Sequence, residues 1–203
     1  MGLGLVGATL VALTGPAWAA KAPPAPTPES DCCKPLEPAP APESDVLAPA
    51  KLTNQRGQSV SLPDGRVWVV TFFYGHCRDV CPTLLYNLGS VFEALPPAVR
   101  AKVGFGGISF DPKRDTVPML AEYQKNFELT DSQFNLMIGD QATSDRVFKT
   151  FRFSFKPDRD DTFQHVNLMA VMDGKGRVVR HFYGLQPNIE QVAGVVKELV
   201  AKP

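Results

Sequence analysis

Two cysteines lie four positions apart, Cys77 and Cys81, in the stretch YGHCRDVCP (residues 74–82). Such a pair can be a structural disulfide, a redox-active dithiol or part of a metal site. A disulfide that closes so short a loop removes little entropy from the unfolded chain, because that effect grows with loop length. The choice among the three interpretations therefore depends on where the fold places the thiols.

The elements on either side of the pair predict that it lies at a strand end. Residues 67–73 form a continuous β-branched and aromatic run, and residues 82–95 have apolar side chains at helical spacing. Open α/β sheets place their chemistry where strands run into helices. We expect the helix N-terminus to favour a Cys81 thiolate. On a helical path the two Cα atoms are about 6 Å apart, so a dithiol and a disulfide are both accessible.

Two thiolates need a further ligand to hold a metal, and the chain has three histidines. His76 neighbours Cys77 but points away from it in an extended segment, which is typical of a loop histidine. His181 alternates with apolar residues and is typical of a strand surface. His165 follows a polar loop (residues 156–162) and precedes an apolar run (166–172). Position alone does not establish it as a ligand.

The remaining pattern predicts an α/β domain with a central mixed sheet, helices on both faces and an N-terminal β-hairpin. The hairpin covers residues 52–62. Further strands are expected at 67–73, 103–110, 134–138, 166–172 and 178–183, and helices at 82–95, 117–127, 144–151 and 189–200.

The N-terminal region differs from this pattern. Residues 1–20 are uncharged and end with a small-x-small motif, which predicts a signal peptide or an uncleaved membrane anchor. Residues 21–50 hold nine of the nineteen prolines and predict an extended linker, with Cys32 and Cys33 unassigned. Residues 51–203 form the domain, expected on the extracytoplasmic side. The 21 basic and 21 acidic residues give no field that favours nucleic acid.

Three blocks in order resemble the Sco/SenC family of thioredoxin-like copper proteins. They are TFFYGHCRDVCPT (71–83), ISFDPKRDT (108–116), and His165 ahead of a strand that ends in MDGKG (172–176). The resemblance implies a thioredoxin-like fold and a copper site formed by Cys77, Cys81 and His165. It also implies delivery of copper to the dinuclear copper centre of cytochrome c oxidase, or reduction of the cysteines there. The partners would be the oxidase's copper-bearing subunit and an upstream copper donor.

Two departures leave the client open: Arg78 stands where the family often has proline, and Val166 where it often has serine. The ligand chemistry agrees with the resemblance, because two thiolates and an imidazole suit cuprous copper, whereas structural zinc takes four protein ligands. Asp79 and Asp111 are candidate carboxylates for orienting a ligand.

The alternative function is a thiol-disulfide oxidoreductase in which His165 serves packing or proton transfer. Redox catalysts of this fold more often have two residues between their cysteines, and this chain has three. We assign Met169 and Met172, which lie in an apolar run, to the core. The localisation expected from the N-terminal region is periplasmic, or membrane-anchored and facing the extracytoplasmic side.

Overall fold

A computed structural model describes residues 46–77, 80–127, 129 and 132–202 of the chain. The predicted leader, the linker up to residue 45, Cys32, Cys33, Arg78 and Asp79 lie outside the described residues. Within the described part, no helix has both the length and the apolar character that crossing a membrane requires.

The strands are β1 (Ala50–Asn54), β2 (Ser59–Leu62), β3 (Val67–Phe73), β4 (Val103–Ser109), β5 (Phe134–Ile138), β6 (Phe155–Pro157), β7 (Phe163–His165), β8 (Leu168–Met172) and β9 (Val178–Tyr183). The helices are α1 (Val80–Ala94), α2 (Pro97–Arg100), α3 (Val117–Asn126), α4 (Gln141–Thr150) and α5 (Ile189–Ala201).

Seven strands form one mixed sheet in the order β2-β1-β5-β4-β3-β8-β9. The inner strands β3, β4 and β5 run parallel, and the flanking strands β8, β9, β1 and β2 pair antiparallel. The parallel strands end at the same edge of the sheet, where β3 leads into the cysteine segment. The sequence-predicted mixed sheet and the opening hairpin are therefore confirmed.

Strand β3 is the centre of the core, and every one of its residues is buried. Successive side chains of a strand point to opposite faces. Phe73 stacks on Tyr123 of α3 at 5.5 Å between ring centroids, while Phe72 contacts Phe148 of α4 at 5.8 Å. Helices therefore cover both faces of the sheet, as predicted, and this explains why β3 is apolar at every position except Thr71.

Local sequence explains where several helices begin. Asp140 caps α4, because its side chain accepts a hydrogen bond from the Thr143 N–H at 2.7 Å. Asn188 caps α5 in the same way through the Gln191 N–H at 3.0 Å. Helix α1 begins at Val80, two residues before the predicted start at Pro82.

Residues 158–162 of the predicted polar loop do form a loop, but Lys156 and Pro157 belong to a strand of a second, two-stranded sheet that the sequence did not predict. β6 pairs antiparallel with β7, with Phe155 opposite His165 and Pro157 opposite Phe163. The strand predicted to begin at residue 166 begins at Leu168, so His165 ends a separate short strand. Periodicity did not indicate this hairpin, because three-residue strands are too short to show alternation.

The folded part extends into the predicted linker. Leu47 is buried, and its N–H donates to the Gly176 carbonyl at 2.8 Å. Val46 forms an isolated bridge with Arg177, and β1 begins at Ala50. Residues 46–50 are thus part of the packed body, although their proline and alanine content is typical of a linker.

Candidate metal centre

The cysteine segment (residues 74–81) joins the end of β3 to the first turn of α1. The Cys77 N–H donates to the Tyr74 carbonyl at 3.1 Å, which closes a β-turn over residues 74–77. Cys81 is fully buried in α1, and its N–H points at the Cys77 sulfur at 3.4 Å. Both cysteines are present as thiols.

The imidazole comes from the β6–β7 hairpin. His165 Nε2 lies 3.7 Å from Cys81 Sγ, and His165 Nδ1 lies 3.2 Å from the Val166 carbonyl oxygen. A proton on Nδ1 donates to that carbonyl and leaves the Nε2 lone pair facing the sulfur. This arrangement of the two ring nitrogens is the one that metal-binding histidines use.

Cys77, Cys81 and His165 each offer one ligand atom, and these three atoms lie within 4.8 Å of one another. Metal–sulfur and metal–nitrogen bonds of about 2.3 and 2.0 Å place the sulfur and nitrogen of a trigonal centre roughly 3.7 Å apart. The Cys81–His165 separation of 3.7 Å matches that value. The donor set therefore fits a soft metal ion of low coordination number.

Burial dominates the electrostatics of Cys81. It raises the pKa of the Cys81 thiol far above its ordinary value, and the adjacent Cys77 raises that pKa further. The expected thiolate at the helix N-terminus is therefore wrong for the metal-free protein, because desolvation outweighs the helix dipole. A metal ion must displace this proton to bind. Burial likewise raises the pKa of Tyr74 to about 12, with Cys77 as the second cause.

Aromatic rings hold His165 against the body of the domain. The His165 ring centroid lies 5.1 Å from Phe110, 6.1 Å from Phe153 and 6.4 Å from Tyr74. Phe163 belongs to the same aromatic cluster, because its ring lies 5.2 Å from Tyr74 and 5.5 Å from Phe110. The hairpin is thus positioned by aromatic packing rather than by the main sheet.

The two predicted orienting carboxylates have different outcomes. Asp79 lies outside the described residues. Asp111 is buried and forms an ion pair with the Arg114 Nε. Arg114 in turn donates to the Asp161 carbonyl at 2.9 Å and lies over the Phe163 ring at 5.2 Å. Asp111 therefore acts on the hairpin through Arg114, and its role as an orienting carboxylate remains a prediction.

Sequence reasoning missed Asp115, the carboxylate that contacts the cysteine segment directly. Asp115 is almost fully buried, and its two oxygens accept from the Gly75 N–H at 3.1 and 3.0 Å. It also accepts from the Ser109 hydroxyl. Burial raises the pKa of Asp115, and these hydrogen bonds oppose the rise. The only sequence signal was its place in the ISFDPKRDT block, four residues after Asp111.

The ligand atoms of His76, Asp111 and Asp115 also lie within 4.8 Å of one another. The carboxylates are already engaged: Asp111 pairs with Arg114, and Asp115 accepts from Gly75 and Ser109. His76 is half exposed, with its Nδ1 4.0 Å from Asp115 Oδ1. We therefore interpret this cluster as a brace for the cysteine segment.

The other candidate residues occupy the places that the sequence favoured. His181 lies on β9 and stacks on Tyr183 at 5.9 Å between ring centroids. Met169 and Met172 are both fully buried in β8, which confirms their assignment to the core. Among the histidines, His165 is the one that lies beside the two thiols.

Comparisons with known proteins agree with this geometry. Residues 38–201 match the family model SCO1/SenC. The chain is 30% identical over 143 residues to the SCO2-like protein RP587 of Rickettsia prowazekii, covering 66% of this chain and 68% of that protein. It is 32% identical over 139 residues to the mitochondrial SCO1 homolog 1 of Arabidopsis thaliana, covering 65% of this chain and 40% of that protein.

Among solved structures, ScoI of Bradyrhizobium japonicum with copper bound has a TM-score of 0.64 and 32% sequence identity. That alignment covers 76% of this chain and 99% of the ScoI chain. Fold and site together define a thioredoxin-like protein with a dithiol–imidazole centre. The chain belongs to the SCO1/SenC family, since the family model matches well over half of its 203 residues.

Proposed function

We propose that this protein is an extracytoplasmic copper chaperone that holds cuprous copper between Cys77, Cys81 and His165. It delivers the ion to the dinuclear copper centre of cytochrome c oxidase. The observation that carries the proposal is the convergence of two thiols and one imidazole within 4.8 Å on two separate segments of the fold. Copper bound to the related ScoI of Bradyrhizobium japonicum supports the choice of metal.

The donor set favours the cuprous ion over other metals. Thiolates are soft ligands that select cuprous copper, and an ion that accepts three ligands needs no fourth protein group. Both cysteines are buried. A buried, low-coordinate site protects the ion from water, while the half-buried hairpin leaves the histidine as the ligand best placed to exchange with a partner.

Copper titration with variants tests the site. Cuprous copper is titrated anaerobically into the full chain against a competing chelator, with Cys32 and Cys33 replaced by serine so that two thiols remain. We expect one equivalent to bind. We expect His165→Ala and Cys77→Ser to weaken binding by at least about tenfold, since even partners of metal ligands contribute that much. His181→Ala is the matched control and should bind as the parent does.

The proposal is contradicted if His165→Ala and His181→Ala bind copper equally well. The histidine would then have no role as a ligand, and the thiol-disulfide oxidoreductase would become the better function. That alternative is favoured by one observation, the approach of the two sulfurs to within 4.8 Å. Because burial raises the pKa of the Cys81 thiol, Cys81 would be a poor attacking nucleophile in such a reaction.

Partner and location extend the same proposal. The client would be the copper-bearing subunit of the oxidase, and a separate donor protein would load the site. The uncharged segment at residues 1–20 supports export, with or without a retained membrane anchor. Fractionation of cells that produce the full chain tests export, and mass determination of the N-terminus shows whether residues 1–20 are cleaved or retained.

A further inference from the structure

We propose that Asp115 is a positioning residue of the metal centre. It fixes the turn that sets the Cys77 sulfur relative to Cys81 and His165. This inference rests on the proposed copper function and assigns to that site a residue that is not one of the three proposed ligands. It follows from the connection between Asp115, the Gly75 amide and the turn.

The turn carries the first cysteine. Tyr74 is its first residue and Cys77 its last, joined by the Cys77 N–H to Tyr74 carbonyl bond at 3.1 Å. Gly75, at the second position, directs its N–H at both Asp115 oxygens, 3.1 and 3.0 Å away. A buried carboxylate that accepts charge-assisted hydrogen bonds from a turn amide holds that turn firmly.

Asp115 is itself held from the neighbouring strand. The Ser109 hydroxyl at the end of β4 donates to Asp115 and accepts from the Asp111 N–H at 3.0 Å. β4 pairs with β3 in parallel up to Phe73 and Ser109. The carboxylate thus transmits the position of the rigid sheet edge to the cysteine turn, and His76 Nδ1 lies 4.0 Å from it on the solvent side.

The packing around Gly75 supports the same conclusion. A Cβ added at Gly75 would lie 2.8 Å from Asp115 Oδ1 and 3.1 Å from the Met119 methyl carbon. Gly75 has no left-handed φ, so an alanine there is opposed by this close approach and not by backbone strain. The sequence uses glycine because the carboxylate occupies the space that a side chain would need.

Amide exchange and copper affinity together test the proposal. The variants Asp115→Ala, Asp115→Asn and Gly75→Ala are compared with wild type and with Asp140→Ala. The control removes a carboxylate that also accepts from one backbone N–H, at the start of α4. Hydrogen exchange at the Gly75 amide of the metal-free protein reports the turn, and competition titration reports cuprous copper.

We expect Asp115→Ala to speed Gly75 amide exchange and to lower copper affinity by about 10–100-fold, the range typical of groups that support metal ligands. Asp115→Asn, which retains an oxygen acceptor, should recover most of that affinity. Gly75→Ala should lose about as much copper affinity as Asp115→Ala. The double variant should lose no more than either single variant, because both changes disrupt the same contact between Gly75 and the Asp115 carboxylate. Asp140→Ala should bind copper as wild type does.

The inference is overturned if folded Asp115→Ala binds copper within about twofold of wild type, a change too small for a supporting group. If Asp115→Ala does not fold, Gly75→Ala decides in the same way. Wild type that binds no cuprous copper contradicts the proposed function and this inference with it. Wild type that binds copper while Gly75→Ala binds equally well contradicts the inference alone.

Discussion

The two halves of the candidate metal centre are built differently. The cysteine segment continues from β3, which is buried along its whole length, and enters α1 directly at Val80. The β6–β7 hairpin, which carries His165, pairs only with itself, and none of its strand residues is fully buried. One half of the site is therefore part of the core, and the other half is attached to it by aromatic contacts.

This difference suggests separate tasks for the two halves. Buried thiols retain a metal ion and exclude water from it. A short hairpin opens more readily than a central strand, because local stability follows the amount of buried apolar contact. Under the proposed function, the imidazole is therefore the ligand expected to leave first when copper moves to a partner.

The largest changes in copper affinity are expected from two single variants, each of which removes one ligand from one half of the site. Cys81→Ser should lower cuprous copper affinity more than about 100-fold, beyond the range for supporting groups. His165→Ala should cost less, because the two remaining thiolates still satisfy a soft ion of low coordination number. Competition titration of both variants gives the order. A larger loss for His165→Ala would reverse the proposed division between the halves.

A matched pair of phenylalanine variants tests the aromatic attachment. Phe163 and Phe92 are both half buried, and each has an arginine over its ring, at 5.2 and 4.6 Å. Each change to alanine should cost about 2 kcal/mol of unfolding free energy, below the range for fully buried phenylalanine. Only Phe163→Ala should also weaken copper binding, by about tenfold.

Urea unfolding and copper titration of the same samples check this expectation. Phe92 packs against Phe105 and Phe134 instead of against the hairpin, so its loss destabilises the domain without reaching His165. If both variants lose copper affinity equally, the effect comes from general stability. The aromatic cluster around His165 would then have no specific role in placing the imidazole.

The cysteine half was the more predictable one from sequence. The run 67–73 predicted β3 with its observed bounds, and the strand end beside a helix start indicated the site. Strong periodicity over long segments records burial, so the main sheet and most helices followed from it. The protonated state of Cys81 did not follow, because desolvation depends on packing that a local pattern does not contain.

The histidine half was less predictable. The β6–β7 hairpin has three-residue strands and includes Lys156 and Pro157, which disfavour a strand assignment. Its stability comes from ring contacts with Phe110, far away in sequence. Asp115 was missed for a similar reason, since its hydrogen bond to Gly75 spans 40 positions. Family resemblance, and not the local sequence, identified His165.

The pH dependence of the unfolding free energy of the metal-free protein should report on Cys81 in the cysteine half of the site. Folding raises the pKa of the Cys81 thiol above its ordinary value of 9.0. At a pH above 9.0 the folded state therefore keeps a proton that the unfolded chain releases. Stability contributed by this group is complete below that value and falls as pH rises further, by about 1.4 kcal/mol per pH unit.

Urea unfolding under reducing conditions at pH 7, 9 and 10 measures this loss. Cys81→Ser should show a smaller decline between pH 9 and 10 than wild type, because it lacks the titrating thiol. His165→Ala keeps Cys81 and should retain the wild-type decline, which makes it the matched control. Equal declines in all three proteins would show that Cys81 is not the group responsible.

The smallest expected effect concerns Tyr123, which stacks on Phe73 beneath the cysteine half. Its hydroxyl oxygen is buried and has no hydrogen-bond partner among the described residues. A buried polar group without a partner is destabilising, so Tyr123→Phe should raise the free energy of unfolding by up to about 1 kcal/mol. Copper affinity should stay within about twofold of wild type, because Asp115 and the Gly75 amide, and not this hydroxyl, hold the cysteine turn. Thermal unfolding and competition titration of the single variant check both values. A loss of copper affinity would mean that the Tyr123 hydroxyl donates a hydrogen bond to a thiolate once the metal is bound. The metal-free structure would then lack one of the hydrogen bonds that hold the thiolates in the copper-bound site.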